Sequence, residues 1–255
     1  MGFLTAYNTD VGTRKKTNQD SMLIMQADTP KGEVLLAAMC DGMGGLAKGE
    51  VASAAMVRSL ESWFRNSLPL LLKEGFSRDA LHRQWQNLVD DTSTLIANYG
   101  RDAHVSLGTT CAALLILENH YYLMNIGDSR IYKISDNIYQ LTKDQTYVQR
   151  EIDMGRMTEE EALYDPKRSV LLQCIGASNE VLPQFEEGDA SAGEVFMLCC
   201  DGFRHVILPG EFYQAFYPPY MNSEELMAQR IGDLIRLNIE RNEDDNISAI
   251  LIKIY

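Results

Sequence analysis

Uninterrupted apolar runs in the sequence predict several buried β-strands. Two of these runs, beginning at Val34 and at Val195, end in the same three residues, Cys-Asp-Gly. Apolar runs of this length are typical of buried strands, and the glycines at 42 and 202 are expected to give each strand a sharp exit. Further strands are predicted at 3–9, 22–27, 109–117, 121–126, 130–134 and 247–254.

Apolar residues at helical spacing predict the helices. One helix is expected from about Ala47 to Arg65, and others at 77–101, at 144–154 and around Met227 to Asn238. The segment 66–76 is expected to be a connector, and 155–170 an irregular excursion. Two helices between groups of strands argue against a doubly wound parallel sheet. They favour an α+β fold in which antiparallel sheets pack together with helices outside.

Composition is that of an ordinary globular protein. The chain has 255 residues, of which 45% are hydrophobic and 23% charged, without a linker-like tract or a long repeat. One domain spanning 1–255 is therefore expected. The apolar stretches are too short to span a bilayer, and the first ten residues lack the pattern of a secretion signal.

The cysteines and the net charge indicate the cellular compartment and exclude some classes of partner. Five cysteines lie mostly within apolar runs and form no CxxC pair, as expected of small buried residues in a reducing compartment, the cytoplasm. A net charge of −13 disfavours nucleic acid as a partner. It is compatible with phosphate chemistry only if bound cations reverse the sign of the charge locally.

Aspartates at strand edges and turns are the candidate chemical groups. They lie in five separate segments, at Asp20, Asp41, Asp128, Asp201 and Asp245. A buried carboxylate is costly unless a cation meets it, and a set of oxygen ligands suits Mg²⁺ or Mn²⁺. Zinc is disfavoured because the four histidines are scattered along the chain. The alternative is structural, because an Asp-Gly pair after a strand is most often a turn.

Several short motifs carry a resemblance to a known family. In chain order, they are Thr17-Asn18-Gln19-Asp20, Asp41-Gly42-Met43-Gly44-Gly45, Leu107-Gly108-Thr109-Thr110, Gly127-Asp128-Ser129-Arg130, Leu141-Thr142-Lys143-Asp144, Gln173-Cys174-Ile175-Gly176, Asp201-Gly202 and Asp245-Asn246. This order resembles the metal-dependent protein serine/threonine phosphatases of the type 2C, or PPM, family in its compact bacterial form. The similarity runs from Asp10 to Ile254.

The resemblance implies a fold and an activity. The fold would be a four-layer α/β/β/α sandwich of two antiparallel β-sheets flanked by helix pairs. The activity would be hydrolysis of phosphoserine and phosphothreonine in proteins by metal-activated water, at a centre of two Mn²⁺ or Mg²⁺ ions that a third ion can extend. Phosphorylated proteins and a cognate serine/threonine kinase would be the partners.

The resemblance also implies roles for the aspartates. Asp41 would bridge two ions, with Asp20 and the Gly42 carbonyl on one ion and Asp201 and Asp245 on the other. A weaker third ion would lie between the carboxylates at 128 and 201. The segment 155–171 would form a flap subdomain beside the cleft, which influences the choice of substrate.

Three positions depart from the family pattern. Lys15, preceded by Arg14, stands where the family usually carries the arginine that contacts phosphate, so that either residue is a candidate for this catalytic role. Met43 replaces the proposed general-acid histidine of eukaryotic relatives, and Gln145 replaces a common histidine. The alternative function is a catalytically impaired, phosphatase-like regulatory module that binds phosphoproteins without turnover.

Overall fold

The computed structural model of the protein describes residues 1–44 and 48–255. Its strands are β1 (Phe3–Asp10), β2 (Asp20–Thr29), β3 (Gly32–Gly44), β4 (Leu107–Thr109), β5 (Cys111–Leu117), β6 (His120–Ile126), β7 (Arg130–Ile134), β8 (Ile138–Gln140), β9 (Gln184–Asp189), β10 (Val195–Cys199) and β11 (Ile247–Ile254). Its helices are α1 (Gly49–Asn66), α2 (Leu68–Glu74), α3 (Arg78–Ala103), α4 (Tyr147–Asp153), α5 (Glu159–Tyr164), α6 (Asp201–Arg204), α7 (Pro209–Ala215) and α8 (Glu224–Glu240).

The strands form two antiparallel sheets. One sheet has the order β1-β11-β10-β7-β8, and the other has the order β2-β3-β5-β6-β9 with β4 paired to the end of β3. The α+β fold and the packed antiparallel sheets expected from the sequence are confirmed.

The apolar run of β3 is explained by burial on both faces of its sheet. Leu35, Ala37 and Met39 belong to the core between the two sheets, whereas Val34 and Leu36 belong to the core beneath the helices. Because side chains alternate across a strand, both sets of residues must be apolar. A central strand of a layered sandwich therefore has a continuous apolar sequence.

Helices cover the outer face of each sheet. On the sheet that contains β3, α1 and α3 pack side by side, with the rings of Trp63 and Trp85 in edge-to-face contact at 5.6 Å between centroids. On the other sheet α8 packs against β1 and β11 through Met227, Ile231 and Leu234, with the short α6 beside it. This arrangement is the expected four-layer sandwich.

Two regions expected to lack regular structure contain short helices. The connector 66–76 holds α2, in which Pro69 occupies the first turn, where its missing N–H breaks no hydrogen bond. The excursion 155–170 holds α5, which begins with a reciprocal capping box between Thr158 and Glu161. In both segments a local signal for starting a helix outweighs the polar or Pro/Gly-containing composition.

The strands β8 and β9 were not predicted from the sequence. Both lie at the edges of their sheets, and most of their residues are partly or fully exposed. An edge strand buries little and so carries no continuous apolar run. The predicted start of the first helix at Ala47 lies outside the described residues, as do Gly45 and Leu46.

No helix in the described part of the chain is both long enough and apolar enough to cross a bilayer. All five cysteines are buried free thiols, which confirms their expected role as small apolar residues.

Candidate metal centre

Asp20 and Asp41 lie directly opposite each other on the neighbouring strands β2 and β3. Two like charges at opposed positions of an antiparallel pair repel each other. This pair arises from strand register alone, although 20 residues of chain intervene. A cation shared between the two carboxylates would remove the repulsion.

Asp201 and Asp245 flank strands of the other sheet, and Asp128 lies in the connection between the two sheets. Asp201 follows β10, Asp245 precedes β11, and Asp128 lies in the turn between β6 and β7. Since β10 pairs with both β11 and β7, these three positions meet at one end of that sheet.

Hydrogen bonds join the two sheet ends. The Asn246 side chain accepts a hydrogen bond from the Gln19 amide at 2.9 Å and donates one to the Val11 carbonyl at 2.9 Å. Ser248 Oγ on β11 donates to the carboxylate of Asp20. The sequence analysis singled out Asp245-Asn246 because of its aspartate. The structure shows that the side-chain amide of Asn246 also holds the segment before Asp20 next to Asp245.

The carboxylates are close enough for their charges to act on one another. Burial raises the pKa of Asp20 to about 7, and the charges of Asp201 and Asp245 act in the same direction. Burial also raises the pKa of Asp41 well above its ordinary value, and the charges of Asp20, Asp201, Asp128 and Asp245 raise it further. Side chains from five segments therefore act on one another across the sheet ends.

The donor set fits a hard divalent cation. Oδ1 of Asp20 and Oδ1 of Asp201 are buried without a hydrogen-bond partner in the described structure. Such oxygens are costly unless a cation or a donor satisfies them, and Mg²⁺ and Mn²⁺ prefer oxygen ligands. Among residues 1–44 and 48–255 no three His, Cys, Asp or Glu side chains are already gathered as a ready-made ligand group. The fit therefore rests on the orphaned oxygens and on the chemistry of the donors.

The backbone around Gly42 allows no side chain. The strand does not exit at this glycine, contrary to the expectation from sequence, because β3 continues to Gly44 through its pairing with β4. A Cβ at position 42 would lie 2.2 Å from the carbonyl oxygen of Gly49, at the start of α1. At the second Cys-Asp-Gly the expectation holds, since β10 ends at Cys199 and α6 begins at Asp201.

Thr109 and Thr110 hold the backbone of Asp41. Thr110 Oγ1 accepts a hydrogen bond from the Asp41 amide at 2.9 Å, and the Thr110 amide donates to the Asp41 carbonyl at 2.9 Å. The hydroxyls of Thr110 and Ser129 are 2.8 Å apart, which ties this contact to the turn that carries Asp128. The Leu-Gly-Thr-Thr motif thus positions two of the predicted site residues.

Of the two candidate phosphate contacts, only Lys15 is at the site. Its Nζ lies 2.8 Å from Oδ1 of Asp245, whereas Arg14 pairs with Asp244 at 3.0 Å and its side chain is 80% exposed. Burial lowers the pKa of Lys15, but the hydrogen bond to Asp245 and the charges of Asp41 and Asp201 outweigh it and leave that pKa raised. Lys15 is therefore a cation beside the carboxylates.

A largely buried arginine, Arg204, also reaches the site. Its Nη2 lies 3.5 Å from Oδ2 of Asp128 and 3.3 Å from Oδ2 of Asp144, and it donates to the Asp128 carbonyl at 3.1 Å. Arg130 forms a two-pronged contact with Asp144 at 2.8 Å for each hydrogen bond. Sequence reasoning missed Arg204, although its place three residues after Asp201 at the start of a helix could have indicated it.

His205 links two of the acidic segments. Its Nε2 lies 3.4 Å from Oδ2 of Asp201, and its Nδ1 lies 3.4 Å from Oε2 of Glu243. The other oxygen of Glu243 accepts hydrogen bonds from the amides of Asp244 and Asp245, each at 3.0 Å. Both residues were missed because neither belongs to a recognisable spacing pattern.

Gln145 joins the Asp128 turn to the end of the excursion. Its side chain accepts hydrogen bonds from the Gly127 amide and from Gln173, both at 2.8 Å. Its backbone carbonyl accepts from the Leu172 amide at 2.8 Å. The glutamine that departs from the family pattern therefore has a structural role between the turn and the segment 155–171.

Comparisons with known proteins identify the family of this chain. The family model for protein phosphatase 2C matches residues 12–235. Serine/threonine protein phosphatase PstP of Mycobacterium tuberculosis is 31% identical over 248 residues, which are 96% of this chain and 44% of PstP. The chain thus spans less than half the length of this curated relative.

Solved structures of similar fold include bacterial phosphatases. The serine/threonine phosphatase of S. agalactiae superposes with a TM-score of 0.86 at 26% identity, covering 100% of both chains. The catalytic domain of PstP, solved in complex with 2 manganese ions, superposes with a TM-score of 0.79 at 29% identity, covering 98% of this chain and 97% of that one. The match over most of its length shows that this chain belongs to the protein phosphatase 2C family.

Proposed function

We propose that the chain is a metal-dependent protein phosphatase that hydrolyses phosphoserine and phosphothreonine with Mn²⁺ or Mg²⁺. The observation that carries the proposal is that the segments of Asp20, Asp41, Asp201 and Asp245 meet at the ends of the two sheets, with buried, unpartnered oxygens on Asp20 and Asp201. The match to the phosphatase family supports it.

The proposal assigns two ions to these residues. Asp41 would contact both ions, with Asp20 and the Gly42 carbonyl on one and Asp201 and Asp245 on the other. Bound divalent ions lower the pKa of a coordinated water and offset the charge of phosphoryl oxygens. The manganese complex of PstP supports the choice of ion.

The protein side chains would position the phosphoryl group. Lys15 places an ammonium group 2.8 Å from Asp245, where a phosphate entering between the sheet ends would meet it. An ammonium is a compact point charge with three donors, so Lys15 would attract and orient the phosphate. Arg14, held by Asp244 at the surface, is not assigned this role.

The cysteines support a mechanism without a thiolate nucleophile. Burial raises the pKa of Cys199 to about 12 and that of Cys200 well above its ordinary value. A thiol with so high a pKa is protonated near neutral pH and is a poor nucleophile. The two cysteines before Asp201 are therefore assigned to packing.

The domain organisation, the cellular location and the partners follow from the same assignment. Residues 1–255 would form one catalytic domain with 155–171 as its flap, and buried free thiols suit a reducing cytoplasm. Phosphorylated proteins would be the substrates, and a serine/threonine kinase that modifies them would be the functional partner.

Turnover of p-nitrophenyl phosphate and of a phosphothreonine peptide tests the proposal, measured with Mn²⁺, with Mg²⁺ and after chelation. We expect activity that a chelator abolishes and that added metal restores. Asp41→Asn and Asp201→Asn should each reduce kcat/KM at least about 100-fold, because each removes a charged ligand. Equal rates with and without chelator would contradict the proposal.

The second candidate, a binding module without turnover, makes a different prediction. It would bind the phosphopeptide and release no phosphate under any metal condition. The complete set of carboxylates favours the enzyme over this candidate.

The assignment of Lys15 has its own test. Lys15→Ala should raise KM for p-nitrophenyl phosphate at least about tenfold, and Lys15→Arg should restore part of the loss, because charge is the property required. Arg14→Ala is the matched comparison, with an expected change in KM of less than about twofold because a surface ion pair contributes little. The reverse order of effects would assign phosphate binding to Arg14.

A further inference from the structure

Arg204 contacts Asp128 through both the side chain and the backbone of that residue. Its Nη2 contacts both the backbone carbonyl of Asp128, at 3.1 Å, and the carboxylate oxygen Oδ2, at 3.5 Å. The two side chains are 12% and 8% exposed, so little water competes for this contact. Asp128 therefore already has a cation beside it, supplied by the chain.

Arginines of the chain offset part of the negative charge around Asp128, to which Asp144 and Asp201 also contribute. Arg130 and Asp144 form a two-pronged pair, and Arg204 contacts both Asp144 and Asp128. Two arginines thus lie against Asp128 and Asp144 in a largely buried cluster, and Asp201 is a further carboxylate nearby. A divalent ion on Asp128 would place two further positive charges next to a guanidinium that is largely shielded from water, and their mutual repulsion opposes binding.

The arginine can neither lose its charge nor leave easily. A guanidinium remains protonated in proteins, unlike a lysine or a histidine. Arg204 is held at one end by α6 and at the other by the Asp128 carbonyl and by Asp144. Removing it would leave two buried carboxylates with less positive charge beside them, which is costly.

We propose that Arg204 supplies the positive charge at Asp128 in place of a third metal ion, so that the centre holds two divalent ions. The inference rests on the proposed function, because it concerns the same metal centre. In this arrangement Asp128 is a positioning residue. Its contact with Arg204 fixes α6, and so the place of Asp201, relative to the β6–β7 turn.

The number of bound ions tests this inference. Bound Mn²⁺ per chain is counted by equilibrium dialysis with elemental analysis, and its affinity is measured by calorimetry. We expect two ions per chain in the wild type and an unchanged count in Asp128→Asn. Three ions in the wild type that fall to two in Asp128→Asn would overturn the inference.

Charge variants at 204 provide the second measurement. Arg204→Gln should bind a third Mn²⁺ at least about tenfold more tightly than the wild type does, equal to about 1.4 kcal/mol. The double variant Arg204→Gln/Asp128→Asn should lose that ion, and Arg204→Lys, which keeps the charge, should hold two. A count that stays at two in folded Arg204→Gln counts against the arginine as the excluding charge.

The two proposals fail in different ways. Absence of any bound Mn²⁺ together with chelator-insensitive turnover would reject the metal-dependent phosphatase. Chelator-sensitive turnover with a third ion on Asp128 would leave the phosphatase intact and reject only the role of Arg204. If Arg204→Gln does not fold, the ion counts of the wild type and Asp128→Asn decide the matter.

Discussion

The backbone at Gly202 packs directly against the carbonyl oxygen of Asn246. A Cβ at position 202 would lie 2.2 Å from that oxygen, a distance that real Cβ contacts do not show. The contact joins the start of α6 to the segment before β11, and each segment carries an aspartate of the candidate centre. Only glycine permits the two segments to approach so closely.

Gly202→Ala is therefore expected to separate Asp201 from Asp245. We predict at least about a tenfold loss of Mn²⁺ affinity and of kcat/KM, because a shift of about 1 Å in ligand position strongly impairs a catalytic site. The measurements are Mn²⁺ titration by calorimetry and turnover of p-nitrophenyl phosphate.

Gly210→Ala is the matched control for this substitution. A Cβ at 210, in the first turn of α7, would meet no atom within 4 Å. Alanine in a helix is favoured over glycine, so its stability should be unchanged or higher by about 0.5 kcal/mol. Equal behaviour of the two variants would show that the approach at 202 is not required.

The opposed carboxylates of Asp20 and Asp41 predict a trade-off between stability and metal binding. In the presence of chelator, Asp41→Asn should be more stable than the wild type by about 1 kcal/mol, because the wild type must either hold two opposed like charges or protonate a buried carboxylate. With Mn²⁺ the wild type should gain melting temperature and the variant should gain much less.

The measurement is thermal unfolding with chelator and with Mn²⁺. Asp91→Asn, an exposed position on α3, removes the same charge elsewhere and controls for net charge. Destabilisation of Asp41→Asn in chelator would show that the two carboxylates do not repel each other in the folded protein.

Asp144 is predicted to be a major contributor to stability. Its carboxylate holds Arg130 at 2.8 Å and Arg204 at 3.3 Å within the protein interior. Asp144→Asn would leave two buried guanidinium groups short of negative charge, and removal of one partner from a buried pair costs about 3–5 kcal/mol. Urea unfolding measures the loss.

Asp153→Asn controls for the loss of an ordinary ion pair. Asp153 pairs with Lys143 at 2.7 Å, but both side chains are at least 40% exposed. Such a pair contributes less than about 1 kcal/mol. Similar losses for Asp144→Asn and Asp153→Asn would contradict the importance of the buried cluster.

The ion pair of Glu211 with Arg241 is expected to stabilise the fold less at acid pH. Its hydrogen bonds from Arg241, at 2.6 and 2.8 Å, lower its pKa from 4.5 to about 2, and the Leu208 amide acts in the same direction. Because this pKa is depressed in the folded protein, the stabilisation is complete above the ordinary pKa of 4.5. It is lost as the pH falls from 4.5 through 2.

The test compares Glu211→Gln with the wild type across pH. At pH 7 the variant should be less stable by about 1 kcal/mol, a value reduced for the partial exposure of the pair, and the difference should shrink as the pH falls below 4.5. Glu240→Gln, an exposed position at the end of α8, should show no such dependence. A difference that grows in acid would reverse the predicted sign.

The positions of the central strands along the chain could be predicted from sequence, because burial on both faces leaves a local signature. The final strand was predicted at 247–254 and is observed as Ile247–Ile254, and the strand at 130–134 is observed as Arg130–Ile134. The edge strands β8 and β9 leave no such signature, since few of their side chains are buried.

The site shows the same division. The motifs predicted Asp20, Asp41, Asp201 and Asp245 as one group, and the register of β2 with β3 and of β10 with β11 brings their segments together. Arg204, His205 and Glu243 could not be assigned to the site from sequence. Their ion pairs depend on which residues lie close together in space, and the positions of these residues along the chain do not show this.

The sequence by itself determined the layered α+β fold and the family, and it predicted the metal-binding aspartates, because apolar periodicity and short motifs are properties of neighbouring residues. Only the tertiary structure decided that Lys15 and not Arg14 faces the carboxylates, and that Asp128 already contacts an arginine. These outcomes depend on which side chains from distant segments lie together in the protein interior. The electrostatic energy of each charged group depends on the charges and the dielectric medium around it.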